Sequence, residues 1–327
     1  MSKPKVYVTR KLPQKAMEMI AERCKMEVNP HDRILTRKEL EKVVQGIDGL
    51  LCLLTDTIDE DLLDINPRLK VIANYAVGYN NIDVKACTER NIAVSNTPGV
   101  LSDTTADFAW TLLMAVARRV VEAESFTRAG KYKGWGPMMF LGGDIYGKKL
   151  GVIGMGRIGQ AFTSRAKGFD MEVLYYDTYR KSAEKEEELN ITYMELNDLL
   201  KESDFVSLHV PLLPDTKHLI AEEELKMMKE TAYLINTARG PIIDEKALVD
   251  ALKNNEIAGA GLDVYEDEPD LTEGLAELDN VTLTPHIASA SIETRTKMAV
   301  MAAENLLAGL NGEEMPNLIN DEVIINK

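Results

Sequence analysis

Residues 154–159 read Gly-Met-Gly-Arg-Ile-Gly, a GxGxxG pattern whose meaning depends on its neighbours. The apolar run Leu150–Ile153 before it predicts a strand, and the spacing of apolar residues after it predicts a helix. A second predicted strand ends at Asp177, 23 residues past Gly154 (177 − 154). This context is typical of a dinucleotide-binding unit. Its first glycine makes a tight turn, its second admits the pyrophosphate, and its third lets helix and strand pack closely.

The predicted unit favours one kind of dinucleotide. The helix N-terminus offers partial positive charge and N–H groups to the phosphates. Asp177, at the end of the second strand, is placed to accept hydrogen bonds from the adenosine ribose, and its charge would repel a 2′-phosphate. Arg180 and Lys181 follow within four residues and could neutralise such a phosphate if the loop folded back. We therefore expect NAD as the cofactor, with NADP disfavoured.

Strand and helix patterns alternate along the chain, which predicts parallel sheets covered by helices. Thr36, with Glu39 three residues later, predicts a capping box at the start of one helix. The predicted strands are Lys5–Thr9, Gly49–Leu54, Leu69–Ala73, Leu150–Ile153, Glu172–Tyr176, Phe205–Leu208, Ala232–Ile235, Gly259–Val264 and Val281–Leu283. The last six of these make a complete dinucleotide-type sheet.

A final helix, Ile292–Gly309, lies beyond the last predicted strand, so we expect the chain to return to its first domain. The expected fold class is α/β with two doubly wound parallel-sheet domains. Residues 100–287 form a Rossmann-type NAD-binding domain. This domain is inserted in a flavodoxin-like substrate, or catalytic, domain made of residues 1–99 and 288–327.

A long amphipathic helix is predicted from Ser102 to about Gly130. It carries more apolar surface than one small domain should need, and we expect it to form the contact of a homodimer. The apolar side chains behind this expectation could be buried inside the protomer or against a second one, and we favour the second; they are Phe108, Trp110, Leu112, Leu113 and Val116.

Composition excludes several classes of partner. The chain has 327 residues and a formal net charge of −15, which disfavours nucleic acid and anionic membrane surfaces. Its longest apolar run, Phe108–Ala117, is far short of the ~20 residues that a membrane helix needs. Cys24, Cys52 and Cys87 are odd in number and widely spaced, so we predict free thiols and a cytoplasmic protein. No metal site is expected.

Three polar residues follow the carboxyl ends of neighbouring predicted strands: Arg239, Glu268 and His286. Because ligands of parallel sheets bind at that edge, we expect these side chains to converge there. Arginine can hold a carboxylate through two hydrogen bonds, histidine can give a proton to a carbonyl oxygen, and glutamate can orient the imidazole. Together with hydride from a nicotinamide, these are the parts that reduction of a 2-keto acid requires.

Ordered motifs run through the whole chain. They are NYAVGYNNID at 74–83, NTPG at 96–99, TAD at 105–107, the glycine motif, HVPL at 209–212, NTARG at 236–240, GAGLDV at 259–264, EP at 268–269 and TPH at 284–286. On these motifs the sequence resembles the D-isomer-specific 2-hydroxyacid dehydrogenases, most closely the glyoxylate/hydroxypyruvate reductase branch.

The resemblance implies a role for each matching residue. Arg239, Glu268 and His286 would be the catalytic set. Val77 and Gly78 would offer backbone N–H groups to the substrate carboxylate, and Leu53 would line the substrate pocket. Asp263 would lie near the nicotinamide amide. The implied cofactor-binding residues are Thr105, Gly154, Gly156, Arg157, Ile158, Gly159, Asp177, His209, Pro211, Thr216, Thr237, Ala238 and Asp263.

The function expected from this resemblance is that of an NAD-dependent oxidoreductase acting on CH–OH groups. It would reduce glyoxylate or hydroxypyruvate to the D-2-hydroxy acid, with the proton supplied by His286. Alternatives in the same family are D-lactate, 2-ketogluconate and phosphoglycerate dehydrogenases. An NAD-sensing, corepressor-like regulatory protein is an alternative of another class, and the catalytic residues alone do not distinguish it from the enzymes.

Overall fold

The computed structural model describes residues 3–323, which form two compact units. Residues 3–101 and 290–323 belong to the first unit, and Ser102–Ser289 form the second. The first junction follows residue 101, where 99 was expected, and the second follows residue 289, where 287 was expected. Each unit contains one all-parallel sheet flanked by helices, so the predicted α/β fold class is confirmed.

The first unit has a five-stranded sheet in the order β2-β1-β3-β4-β5. Its elements up to residue 101 are β1 (Lys5–Val8), α1 (Gln14–Arg23), β2 (Lys25–Val28), α2 (Arg37–Val44), β3 (Gly49–Cys52), α3 (Glu60–Asp64), β4 (Val71–Asn74), α4 (Val84–Glu89) and β5 (Ala93–Ser95). The capping box predicted at Thr36 and Glu39 is present at the start of α2.

The second unit has a seven-stranded sheet in the order β12-β11-β10-β9-β6-β7-β8. Its elements are α5 (Ser102–Ala117), α6 (Val120–Arg128), β6 (Lys149–Ile153), α7 (Arg157–Ala166), β7 (Glu172–Tyr176), α8 (Ala183–Leu189), β8 (Ile191–Tyr193), α9 (Leu196–Glu202), β9 (Phe205–Leu208), α10 (Glu222–Met227), β10 (Tyr233–Asn236), α11 (Glu245–Lys253), β11 (Gly259–Leu262) and β12 (Val281–Leu283). The expected count of six strands is wrong, because the short edge strand β8 adds a seventh.

Both faces of the second sheet are buried. Successive residues of a strand belong to different apolar clusters. In β9, Phe205 belongs to one cluster and Val206 to the other, and in β10, Ile235 belongs to the first and Leu234 to the second. This alternation follows from the two-residue repeat of side-chain direction in a strand. Covered on both faces, the sheet leaves its strand ends as the place where loops can present polar groups.

After the second unit, α12 (Ile292–Asn311) packs against α1 and β4 of the first unit, as the return of the chain predicts. The buried side chain of Asn320 then bonds to the backbone of β5, accepting from Val94 N at 2.8 Å. Cys24, Cys52 and Cys87 are buried free thiols, as predicted. Among residues 3–323, no helix is both long enough and apolar enough to cross a membrane.

The single helix predicted from Ser102 to about Gly130 is wrong. Helix α5 ends at Ala117, and α6 starts after Arg119, whose φ of 52° lies in the left-handed region. The carbonyl of Ala117 accepts a hydrogen bond from Gly143 N at 2.9 Å, so a returning loop satisfies a group that the helix end leaves without a partner in the helix.

The apolar side chains of α5 are also not available to a second protomer. Trp110, Leu112, Leu113 and Val116 are buried within their own unit, and Phe108 packs partly buried beside them. Trp110 donates to the Phe162 carbonyl at 2.8 Å and stacks on the Phe162 ring, with ring centroids 5.1 Å apart. The expectation that these residues form a dimer contact is therefore wrong.

Candidate active site

The glycine motif forms the turn between β6 and α7. Gly154 has a φ of 95°, and a Cβ there would lie 2.7 Å from the carbonyl carbon of His209. A Cβ on Gly159 would lie 2.1 Å from the Gly154 carbonyl oxygen, whereas one on Gly156 would meet nothing within 4 Å. The first and third glycines are therefore required by the fold, and the second leaves open space at the N-terminus of α7, where a pyrophosphate would bind.

Asp177 lies directly after β7 and is tied to the glycine turn. Its Oδ2 accepts from Met155 N at 2.7 Å, and its Oδ1 accepts from Tyr179 N at 3.0 Å. These bonds fix the carboxylate beside the loop that would hold the phosphates. The position suits the ribose-binding role that the sequence predicts.

The loops after β9 and β10 carry the next group of predicted cofactor residues. Thr216 donates to the Pro211 carbonyl at 2.6 Å and accepts from Leu213 N at 2.8 Å, which closes the loop after β9. Ala238 N donates to the Asn236 side chain at 3.0 Å. Within residues 3–323, the buried Thr237 hydroxyl has no hydrogen-bond partner, so it is available to an outside group. This orphaned donor, with the open space at Gly156, fits a bound dinucleotide.

His209 is held by its own unit. Its Nε2 lies 2.9 Å from the Ser207 hydroxyl, and its ring contacts Phe162 with centroids 4.8 Å apart. Burial lowers the pKa of His209 to about 3, so the imidazole is neutral. It is therefore unsuited to be the acid, as the sequence indicated. Its predicted contact with the cofactor stays a prediction.

The three predicted catalytic residues meet at the carboxyl edge of the second sheet. His286 Nδ1 lies 2.9 Å from Glu268 Oε2, and both side chains are partly exposed. Arg239 follows β10, and burial lowers its pKa while the charge of Glu268 raises it, so the two charges act on each other. The backbone of His286 has a φ of 54°, a strained value of the kind found at functional sites.

Glu268 is ionised in spite of its surroundings. Burial raises its pKa. The hydrogen bond and charge of His286, the hydrogen bond from Tyr265 N at 3.1 Å and the charge of Arg239 lower it by more. The net result is a pKa below the usual range for glutamate. A carboxylate in this state can orient the Nδ1–H of His286, which leaves the other ring nitrogen for proton transfer.

Asp263 is buried and holds the loop that carries His286. Its Oδ1 accepts from the Thr284 hydroxyl at 2.7 Å and from Ile287 N at 2.8 Å, and its Oδ2 accepts from Ala288 N at 2.7 Å. The Asp263 carbonyl accepts from His286 N at 2.9 Å. In this structure, Asp263 therefore positions the loop around His286.

Sequence reasoning missed a second imidazole–carboxylate pair. His218 Nε2 lies 2.6 Å from Glu266 Oε1, and the buried Glu245 accepts from Glu266 N at 2.7 Å and from the Thr272 hydroxyl at 2.7 Å. These bonds anchor the segment that contains Glu268. The position of Glu266 two residues before Glu268 was the only signal in the sequence.

The remaining predicted residues are distributed over both units. Thr105 is buried in the first turns of α5, and Arg157 and Ile158 begin α7. Leu53, Val77 and Gly78 belong to the first unit, where they follow β3 and β4.

Side-chain amides hold the carbonyls of these three loop residues. Asn96 donates to the Val77 carbonyl at 2.7 Å, Asn74 donates to the Gly78 carbonyl at 3.0 Å, and Asn81 donates to the Leu53 carbonyl at 3.1 Å. The loops are thereby oriented. Their contact with substrate stays a prediction.

Comparison with known proteins identifies close relatives. Residues 110–288 match the family model described as D-isomer specific 2-hydroxyacid dehydrogenase, NAD binding domain. A glyoxylate reductase of Thermococcus gammatolerans is 53% identical over 326 residues, which cover 98% of this chain and 97% of that relative.

Solved structures agree over the full length. The TT0316 protein of Thermus thermophilus gives a TM-score of 0.90 at 46% identity, covering 97% of this chain and 100% of its own. The NADPH-dependent glyoxylate/hydroxypyruvate reductase of Sinorhizobium meliloti, in complex with NADP and malonate, gives 0.86 at 31% identity. That match covers 100% of this chain and 99% of the other.

The glycine geometry predicts different effects on stability when Gly159 and Gly156 are each replaced by alanine. Gly159→Ala should lower the free energy of unfolding by about 1–3 kcal/mol, because the new methyl group overlaps the Gly154 carbonyl. Gly156→Ala should leave it close to wild type, because nothing lies within 4 Å of the new methyl group. Urea unfolding of both variants and of wild type measures the difference. Equal midpoints for the two variants would show that the close approach at Gly159 is not a constraint.

Proposed function

The chain belongs to the D-isomer-specific 2-hydroxyacid dehydrogenase family, and we propose that it reduces glyoxylate or hydroxypyruvate with NADH. As a member of that family it is an oxidoreductase that interconverts a small 2-keto acid and a D-2-hydroxy acid. The observation that carries the proposal is the His286–Glu268 hydrogen bond of 2.9 Å beside Arg239, at the edge of the dinucleotide-binding sheet. The relatives named glyoxylate reductase support the choice of substrate.

The chemistry follows from the three side chains. Arg239 would hold the substrate carboxylate in the two-pronged geometry of a guanidinium. His286, oriented through Nδ1 by Glu268, would give the proton on Nε2 to the carbonyl oxygen. A bound NADH supplies the hydride that the carbonyl carbon receives. One keto acid, one NADH and one proton thus become one hydroxy acid and one NAD⁺.

The cofactor would be held by residues after β6, β7, β9 and β10. The pyrophosphate would lie over the open space at Gly156, and the adenosine ribose would bond to Asp177. Thr237 would give its unpartnered hydroxyl to the same ligand. We infer a preference for NADH because the Asp177 carboxylate would repel a 2′-phosphate.

A homodimer is supported by α6, the second part of the segment first expected to form the contact, and by the loop after it. Helix α6 has no buried residue, although Phe126 on this helix packs edge-on against Phe140 in the loop that follows, with centroids 5.2 Å apart. The apolar side chains exposed on this helix and loop are Val120, Val121, Tyr132, Trp135, Met138, Met139, Leu141 and Tyr146. Trp135 is 83% exposed and Met138 is 77% exposed.

An apolar surface of this kind marks an interaction site. A second copy of the chain would cover it through the same surface on both subunits, in the two-fold arrangement that is commonest among oligomers. We also infer the cytoplasm as the compartment, since three buried free thiols suit a reducing environment.

A substrate panel tests the proposed reaction. Glyoxylate, hydroxypyruvate, pyruvate, 2-ketogluconate and phosphohydroxypyruvate are each assayed with NADH and with NADPH, by the loss of absorbance of the reduced cofactor. We expect the highest kcat/KM for glyoxylate or hydroxypyruvate with NADH. His286→Ala should reduce kcat by about 10²–10⁴, the usual contribution of a general acid, with NADH binding retained. Higher efficiency with phosphohydroxypyruvate, or with NADPH, would refute the substrate or the cofactor respectively.

The role of Glu268 predicts a change in the pH dependence of reduction. The ionised Glu268 favours the protonated imidazole, and this attraction is lost when the side chain becomes a neutral amide. In Glu268→Gln, the pH at which reduction loses its acid should therefore move downward. Initial rates of glyoxylate reduction are measured across about pH 5–9, an interval that includes the range where imidazole side chains in general change charge. Glu273→Gln, at an exposed glutamate of the same loop region, is the control. An unchanged limb in Glu268→Gln would make Glu268 a purely structural residue.

The proposed dimer predicts a mass twice that of the chain in sedimentation at micromolar concentration. A double substitution, Trp135→Glu with Met138→Glu, should give monomers, because it places charges on the two most exposed apolar side chains of the surface. Leu213→Glu, on a loop outside this surface, is the control for an added charge and should keep the wild-type mass. A wild-type monomer would refute the proposal.

A further inference from the structure

Arg180 is the first basic side chain after Asp177, and it is engaged by a glutamate of α8. Its Nε lies 2.9 Å from Glu186 Oε1, and its Nη2 lies 3.0 Å from Glu186 Oε2. The guanidinium also lies over the ring of Tyr193, 5.1 Å from the centroid. Two parallel hydrogen bonds and a ring contact together define one position for this cation.

That position is on the side of β7 opposite to the glycine turn. In the sheet, β7 lies between β6, which leads into the glycine turn, and β8, which carries Tyr193. Asp177 follows β7 and bonds toward the glycine turn through Met155 N. The guanidinium of Arg180 is thus held over β8 while the carboxylate of Asp177 points toward the proposed cofactor site.

Glu186 is well suited to hold a cation in place. Its side chain is only 14% exposed, and the hydroxyl of the buried Tyr175 donates to Glu186 Oε1 at 2.8 Å. The hydrogen bonds from Arg180 and Tyr175 lower the pKa of Glu186, so it carries its charge at neutral pH. Tyr175 OH in turn accepts from Lys181 N at 2.8 Å. This bond folds the segment after Asp177 back onto Tyr175.

We propose that Glu186 is a specificity-determining residue for the cofactor, which keeps Arg180 away from the place where a 2′-phosphate would lie. The inference rests on the proposed use of NADH. A 2′-phosphate on the adenosine ribose would then meet the negative charge of Asp177 without the guanidinium of Arg180 to offset it. Discrimination against NADPH has two parts, repulsion by Asp177 and removal of Arg180 by Glu186.

The size of the second part is limited by the exposure of the pair. Arg180 is 62% exposed, and ion pairs of this kind contribute modestly to stability. A phosphate competing for Arg180 would therefore be disfavoured by a factor of about two to five. Such a factor is within the range that cofactor titrations resolve.

The decisive variant is Glu186→Gln, which removes the charge but keeps an oxygen that can accept from Tyr175. Binding of NADP⁺ and NAD⁺ is measured without substrate by titration calorimetry, and kcat/KM with NADPH and NADH is measured with glyoxylate. We expect the ratio of NADP⁺ affinity to NAD⁺ affinity to rise about two- to fivefold, with NAD⁺ affinity little changed. Glu187→Gln is the matched control, since it removes the same charge from an exposed neighbour in α8 and should leave the ratio unchanged.

A double variant shows whether the gain depends on the released guanidinium. Glu186→Gln with Arg180→Gln should return the ratio to the wild-type value. A ratio in Glu186→Gln equal to that in Glu187→Gln, or a gain that persists without Arg180, would overturn the proposal. Melting temperatures verify that each variant folds. Glu186→Met, which also removes the charge, should raise the ratio of NADP⁺ affinity to NAD⁺ affinity as Glu186→Gln does. A wild-type preference for NADPH would instead refute the proposed cofactor, whereas the effect of Glu186 is judged by the change in ratio alone.

Discussion

The parallel direction of the seven strands in the second unit is the constraint on which its chemistry depends. Every strand ends at the same edge, so groups far apart in the sequence are delivered to one place. The glycine turn follows β6, Asp177 follows β7, Arg239 follows β10, and His286 follows β12. Since both faces of the sheet are sealed by apolar clusters, this edge is where polar side chains can be presented without burying unpaired charges.

Neighbouring loops at this edge are fixed by contact between backbones. A Cβ on Gly154 would overlap the backbone of His209, and a Cβ on Gly240 would lie 1.8 Å from the carbonyl carbon of Tyr265. The residue after Arg239 thus lies against the segment that leads to Glu268. Because backbones are less mobile than long side chains, such contacts set the spacing of the catalytic groups more firmly than side-chain bonds could.

Local apolar pattern made the fold and the candidate site predictable, and contacts with distant parts of the chain limited the rest. The six strands predicted for the second sheet are all present, because their apolar runs do not depend on partners elsewhere in the chain. The edge strands β2, β5 and β8 were missed because they lack a continuous apolar run: β2 reads Lys-Met-Glu-Val, β5 reads Ala-Val-Ser and β8 reads Ile-Thr-Tyr. The break between α5 and α6 was missed because the Ala117 carbonyl is satisfied by Gly143, a partner 26 residues away (143 − 117) that helical periodicity does not reveal. The ion pair that holds Arg180 likewise depends on how α8 packs near β8, whereas the position of Asp177 follows from the βαβ unit alone.

Charge balance within the proposed catalytic group explains why these three side chains belong together. In the form that would donate a proton, His286 and Arg239 carry two positive charges and the ionised Glu268 carries one negative charge, which leaves one net positive charge. The carboxylate of a 2-keto acid would bring one negative charge, which would balance this positive charge in the proposed complex. With a glutamine at position 268, no carboxylate of this group would offset the charges of Arg239 and a protonated His286. This would favour binding of the substrate carboxylate but disfavour the protonated imidazole that the reduction consumes.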